Sequence, residues 1–239
     1  MVLTEHTAKA FDVDLQELTR MVAEMGGLAE KQLADSFQSL LRRDSETAEH
    51  IVATDPRIDA LQQEIEEKAV RTIARRQPMA VDLRDVIGAL RVANDLERIG
   101  DLAKNNAKRV LALDGDFHPI KVLRGVEHMG ALVLEQLTQV LDSYATHDLA
   151  KALVVWNGDE AVDAMCTSLF RELLTYMMEE PRNITFCIHL MFCAKNIERM
   201  GDHATNIAET VYYMIEGRTI AEQRPKVDTT RFASLAGDR

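Results

Sequence analysis

Hydrophobic positions recur at three and four residues through most of this chain, and the breaks in that rhythm divide it into six helical stretches. Phe11, Leu15, Leu18, Val22, Met25, Ala29, Leu33, Phe37 and Leu40 line one face of a first helix ending near Arg43. Asp44 and Ser45 are placed to cap a second, which is interrupted at Thr54-Asp55-Pro56, resumes through Ile58, Leu61, Ile65, Ala69 and Ile73, and stops at Pro78. A third runs from about Met79 to Leu113, and Asp114-Gly115-Asp116 reads as a turn. The pattern then restarts. Val122, Val126, Met129, Val133, Leu137, Val140 and Tyr144 mark a fourth helix; Asp148 to about Met178 a fifth, broken at Asn157-Gly158; and Pro181 opens a sixth that ends near Met214. Residues 218–239 carry many charged and small side chains with little periodicity and read as a loose tail.

The restart is a duplication. Residues 93–108 (ANDLERIGDLAKNNAK) and 194–209 (AKNIERMGDHATNIAE) share Ala93/Ala194, Glu97/Glu198, Arg98/Arg199, Gly100/Gly201, Asp101/Asp202, Ala103/Ala204, Asn105/Asn206 and Ala107/Ala208, all at an offset of 101. Met25-Gly26 is echoed by Met129-Gly130 at an offset of 104. Each half is helix, interrupted helix, helix, and helices of about 30 residues span ~45 Å. The fold expected is all-α, two elongated three-helix bundles side by side, over residues 1–115 and 116–217, with 218–239 as the tail.

Glu97 and Asp101, and again Glu198 and Asp202, stand one turn apart and one residue past the small-residue stripe, at the edge of a buried seam. The interrupted helices carry Asp55 and Asp59, matched at an offset of 104 by Asp159 and Asp163. Like charges on adjacent helical turns repel, and a cation removes that cost. Carboxylates without His or Cys beside them suit Mg²⁺, Mn²⁺, Ca²⁺ or iron over zinc or copper, and two facing pairs could hold more than one ion. Structural roles compete at each position. Asp55 before Pro56, and Asp159 after Asn157-Gly158, could be helix caps; the glutamates could pair with Lys104, Arg98, Lys195 or Arg199; Asn105 and Asn206 could bond across helices.

Composition narrows the functions. The formal net charge of -11, from 39 acidic and 28 basic side chains, disfavours a phosphate-backbone partner, so nucleic acid is not expected. The start MVLTEHTAKAFDVD has no secretory pattern and no apolar run approaches the ~20 residues that span a bilayer, which points to a cytoplasmic protein. Cys166, Cys187 and Cys193 lack CxxC spacing and read as buried thiols. HExxH, GxSxG, Walker and GxGxxG motifs are absent, and no histidine follows a glutamate by three residues as in di-iron bundles. His189, inside FCIHLMFCA, reads as a satisfied core histidine; His203 follows Asp202 but aligns with Leu102.

The run RQPMAVDLRDVIGALRVANDLERIGDLAKN, together with NIERMGDHATNIAE, closely resembles the PhoU family, over roughly residues 5–217. The resemblance implies two pseudo-symmetric three-helix bundles and a non-enzymatic negative regulator of the phosphate-starvation response. Such a regulator acts between the ATPase subunit of the phosphate ABC transporter and the membrane sensor histidine kinase, often as a homodimer. It also implies multinuclear metal clusters at E(D)xxxD motifs, here Asp55/Asp59, Glu97/Asp101, Asp159/Asp163 and Glu198/Asp202. Asn106 against Ile207 is a departure between the copies. Two other classes compete with this expectation: a metal-dependent hydrolase or oxidase using the same carboxylates, and a metal-free helical scaffold.

Overall fold

Short polar signals set the helix ends, and they recur in both halves. Asp44, in extended backbone, accepts the amide of Thr47 at 3.0 Å and opens a helix. Its repeat counterpart Asp148 accepts the amides of Ala150 and Lys151 at 3.0 and 3.2 Å. The residue before each, Arg43 and His147, is left-handed with φ 53°. Pro56 occupies the first turn after the predicted break, where a missing amide costs nothing. In the computed structural model, which describes residues 2–113 and 122–221, these signals delimit α1 (Val2–Arg42), α2 (Ser45–Thr54), α3 (Pro56–Arg76), α4 (Val81–Ala112), α5 (Val122–Thr146), α6 (Leu149–Asn157), α7 (Asp159–Glu179) and α8 (Ile184–Glu216). A 3-10 turn at Pro181–Asn183 precedes α8. No strand occurs among the described residues, and the expected turn at 114–116 lies outside them, as does most of the expected tail.

The architecture is all-α: two pseudo-symmetric three-helix bundles packed side by side, α2–α3 and α6–α7 being the interrupted helices. In the first bundle α4 packs against α1, α2 and α3; in the second α8 packs against α5, α6 and α7. The bundles join where α4 meets α8 and α1 meets α5. Small residues let the central helices come close: Ala93, Ala103, Ala107, Ala194, Ala204 and Ala208 are all buried, and Leu96, Ile99 and Ile197 between them are fully enclosed. Each such large side chain contributes ~1.5–3 kcal/mol by leaving water. The buried hydrophobics form one cluster running through both bundles.

The α1–α5 contact shows the pseudo-twofold relation at atomic scale. A Cβ on Gly26 would fall 2.9 Å from Leu141 Cδ1, and one on Gly130 would fall 2.7 Å from Phe37 Cδ2. Gly26 corresponds to Gly130 and Phe37 to Leu141 under the same offset of 104, so each helix receives the other's large side chain over its glycine. This frame places α3 against α4, and α7 against α8. The acidic pairs therefore meet within each half.

Candidate functional site

In the first half Asp55, Asp59, Glu97 and Asp101 lie along the α3–α4 seam, and an ammonium bridges two of them across it. Lys104 Nζ donates to Asp55 Oδ2 and to Asp101 Oδ1, each at 2.5 Å. Partial burial works against the charge on Lys104, but its hydrogen bonds to Asp101 and Asp55 outweigh that and hold its pKa well above the ordinary lysine value. Asp55 does not cap α3: its side chain makes no cap hydrogen bond, and Oδ1 accepts from Gln32 Nε2 at 2.9 Å. Gln32 Nε2 also donates to the Gly100 carbonyl at 3.1 Å, tying α1 to both halves of the cluster. Arg98, on the exposed rim, lies 3.3 Å from Glu97 and 3.8 Å from Asp101. Burial first, and then the neighbouring acids, push the carboxyls of Asp59 and Glu97 up, with Lys104 and Arg98 respectively opposing.

The second half repeats the acids and changes the centre. Asp159, Asp163 and Glu198 are buried and Asp202 is half-buried. The position of Lys104 is taken by Thr205, fully buried, whose hydroxyl is 3.3 Å from Asp159 Oδ1 and 3.1 Å from the Gly201 carbonyl. Glu198 is 6% exposed; Lys195 Nζ donates to its Oε1 at 2.8 Å, while Oε2 is buried without a hydrogen-bond partner. Burial raises the Glu198 pKa, Lys195 opposes, and Asp202 and Asp163 add to the rise. Gln136, the counterpart of Gln32, is buried with Oε1 unpartnered and 3.4 Å from where a Cβ of Gly201 would stand.

The remaining candidates separate from these clusters. His203 turns away from Asp202, its Nδ1 lying 2.9 Å from Asp95 Oδ1 at the α4–α8 seam, where Asn206 Nδ2 also reaches Asp95 at 3.4 Å. Asn206 thus bonds across helices, whereas Asn105 is exposed. His189 is a correction: it is half-buried, with Nδ1 unpartnered, and burial beside Arg109 lowers its pKa. The charge beside it, Arg109, also stacks on the Phe192 ring at 4.1 Å. The three cysteines are buried thiols, as expected. Asp95, Gln32 and Gln136 escaped the sequence reading, although the two glutamines repeat at the same offset of 104 as the acids and that signal was available.

Among the described residues, no three His, Cys, Asp or Glu side chains are gathered closely enough to hold one ion, so carboxylates must rotate inward to bind one. By donor chemistry the second cluster offers oxygen donors of the kind an oxygen-preferring cation takes, the carboxylates of Asp159, Asp163, Glu198 and Asp202 and the Thr205 hydroxyl against Asp159; Glu198 Oε2 and Gln136 Oε1 are buried without hydrogen-bond partners there, as Glu97 Oε2 is in the first cluster. The first does not fit while Lys104 stays, because its ammonium already lies against Asp55 and Asp101. No helix among the described residues is long and apolar enough to cross a membrane.

Comparison with known proteins agrees with this doubled architecture. The PhoU domain model matches twice, at residues 22–110 and 126–211. The chain is 56% identical over 225 residues to the phosphate-specific transport system accessory protein PhoU homolog of Rhizobium meliloti (strain 1021), covering 94% of this chain and 95% of that one. It is 52% identical over 227 residues to the homolog of the same name from Caulobacter vibrioides (strain NA1000 / CB15N), covering 95% and 98%. The crystal structure of PhoU from Pseudomonas aeruginosa superposes with a TM-score of 0.84 at 38% identity, covering 87% of this chain and 100% of that one. The phosphate transport system regulatory protein PhoU from Streptococcus pneumoniae gives 0.82 at 29% identity, covering 89% and 100%. With the repeat, the helix order and both matched segments in agreement, this chain belongs to the PhoU family.

Proposed function

We propose that this chain is a non-enzymatic negative regulator of the phosphate-starvation response: a cytoplasmic adaptor, dimeric in its working form, between the ATPase subunit of a phosphate ABC transporter and a sensor histidine kinase. The observation that carries the reading is the 56% identity, over nearly the full length of both chains, to an accessory protein of phosphate-specific transport. The bundles, at residues 1–115 and 116–217, supply long helical faces for two partners. A metal ion, Mn²⁺, Mg²⁺ or iron, bound by acidic side chains offsets their mutual repulsion and fixes the relation of neighbouring helices.

The test has a cellular and a purified arm. Deleting the gene is expected to leave phosphate-starvation genes expressed in phosphate-replete medium, and restoring the chain to silence them; normal silencing in the deletion strain sinks the regulatory reading. Purified chain is expected to bind both the transporter ATPase and the cytoplasmic part of the kinase, with weaker binding after chelation. Retention of neither protein by an immobilised, folded sample would overturn the adaptor role.

A further inference from the structure

The duplication leaves the two ends of the inter-bundle seam unlike. Near the start of α4 and the ends of α5 and α8, the helices α1, α4, α5 and α8 enclose a cavity of about 330 Å³ that shares no lining residue with either acidic cluster. Its floor is buried, with Leu18, Ala89, Tyr144 and Met214, and its mouth carries the exposed Gln16 and His147. Asp85 lines it, with Oδ1 buried and without a hydrogen-bond partner. Under the repeat offsets of 101 and 104, Asp85 answers to Phe186, His147 to Arg43, Tyr144 to Leu40, Thr19 to Leu123 and Ala89 to Leu190. At that matching end Arg43 stacks over the Phe186 ring at 5.6 Å, and Leu40, Leu123 and Leu190 are buried. One end is thus built of hydrocarbon. The other puts a carboxylate in place of a ring, hydroxyls in place of two leucines and a methyl in place of a third.

We propose that this cavity binds a small organic cation, a primary alkylammonium, with its charged head on Asp85 and its chain along Leu18, Ala89 and Met214. The volume falls at the lower end of the roughly 300–1,000 Å³ common to small-ligand pockets. Charge selects the class. A buried carboxylate oxygen with no donor costs free energy until a cation meets it. Two basic side chains stand nearby and neither bonds Oδ1. His147 Nε2 lies 3.6 Å away, beyond hydrogen-bond reach, on a side chain 49% exposed, and Arg84 Nε donates instead to the Met214 carbonyl at 3.3 Å. Burial accordingly pushes the Asp85 carboxyl up, with His147 opposing. A single carboxylate in the lining does not suit Mg²⁺ or Ca²⁺, which take about six or more oxygen ligands, and it repels an anion. Because the walls come from both bundles, an occupant ties them together.

The test labels the full chain with ¹³C at its methionine methyls and titrates it with n-hexylammonium chloride at constant ionic strength. The Met214 methyl resonance, identified by its loss in Met214→Leu, is expected to shift saturably, and n-hexanol, the same chain without the charge, to bind about tenfold more weakly or worse. Asp85→Asn, a near-isosteric change, is expected to raise the Kd for the amine by about tenfold or more. Ala89→Leu gives the floor the leucine of the matching end, leaves Asp85 in place, and is expected to abolish the shift. Circular dichroism confirms that each variant is helical. An unmoved Met214 resonance in the folded parent overturns the proposal, including the case in which other methyls shift, which would mark adventitious binding to an acidic surface. Equal affinity in Asp85→Asn, or for n-hexanol, overturns it too. Should Ala89→Leu not fold, Asp85→Asn and n-hexanol decide the matter.

Discussion

In the first bundle the repulsion among Asp55, Asp59, Glu97 and Asp101 is offset by Lys104, which bonds Asp55 and Asp101 from within the chain; in the second, the matching position holds Thr205, whose neutral hydroxyl lies against Asp159. The four acids, the buried glutamine and the packing glycines agree between the halves, and the side chains that answer the acids differ: Lys104 stands where the second half has Thr205, and Lys195, which pairs with Glu198, where the first has Asn94. A duplicated fold can thus keep its skeleton while one copy places an ammonium between two of the repeated acids. The contrast continues away from the clusters. Asp14 on α1 accepts from Lys68 at 2.8 Å and from Arg76 at 3.0 Å, both on α3, whereas the positions matching those two cations in the second bundle are Glu172 and Glu180. The first bundle carries its own counter-charges where the second carries more acids.

The most severe way to break the comparison is to remove the internal cation. Lys104→Met strands the carboxylate of Asp55, which is almost fully buried, and is expected to cost ~2–3 kcal/mol in urea unfolding without divalent ions. Thr205→Ala, at the matching place, removes a neutral hydroxyl and is expected to cost about 1 kcal/mol. Equal costs would mean that Lys104 contributes no more than a hydroxyl. The glutamines sharpen the contrast at smaller scale. Gln32→Leu leaves Asp55 Oδ1 and the Gly100 carbonyl without their shared donor, a loss of about 1–2 kcal/mol. In metal-free protein Gln136→Leu should be close to neutral, because its buried Oε1 already lacks a partner.

The smallest effect carries a pH signature. Hydrogen bonding from Lys68, and then the Arg76 partner, hold the Asp14 carboxyl below its ordinary value against the opposing effect of partial burial. A carboxyl with a lowered folded pKa stabilises the fold above its unfolded value and loses that contribution as pH falls through the folded one. Asp14→Asn is therefore expected to lower stability by about 1 kcal/mol at neutral pH. That difference should fade as the pH drops below about 4, the usual aspartate range. A gap that stays constant down to acid pH would show that packing, rather than charge, links α1 to α3.

Much of this was legible before the fold was known, for identifiable reasons. Apolar residues at three and four positions mark the buried face of each helix, and Asp44, Pro56, Asp148 and Pro181 act on the backbone within a turn of themselves, so their effect does not wait for tertiary contacts. The eight acids could be located because a repeat in register shows which positions stayed alike in both copies. Periodicity says which face a residue shares, though not what is packed against that face. Only the tertiary structure set α3 against α4 and α7 against α8, brought Lys104 onto Asp55 from 49 residues away, turned His203 to Asp95 across the bundle seam, and replaced a possible cap at Asp55 with a buried ion pair. Those outcomes depend on burial and on the competition among nearby charges for the same partners, which exist only once the helices have been assembled.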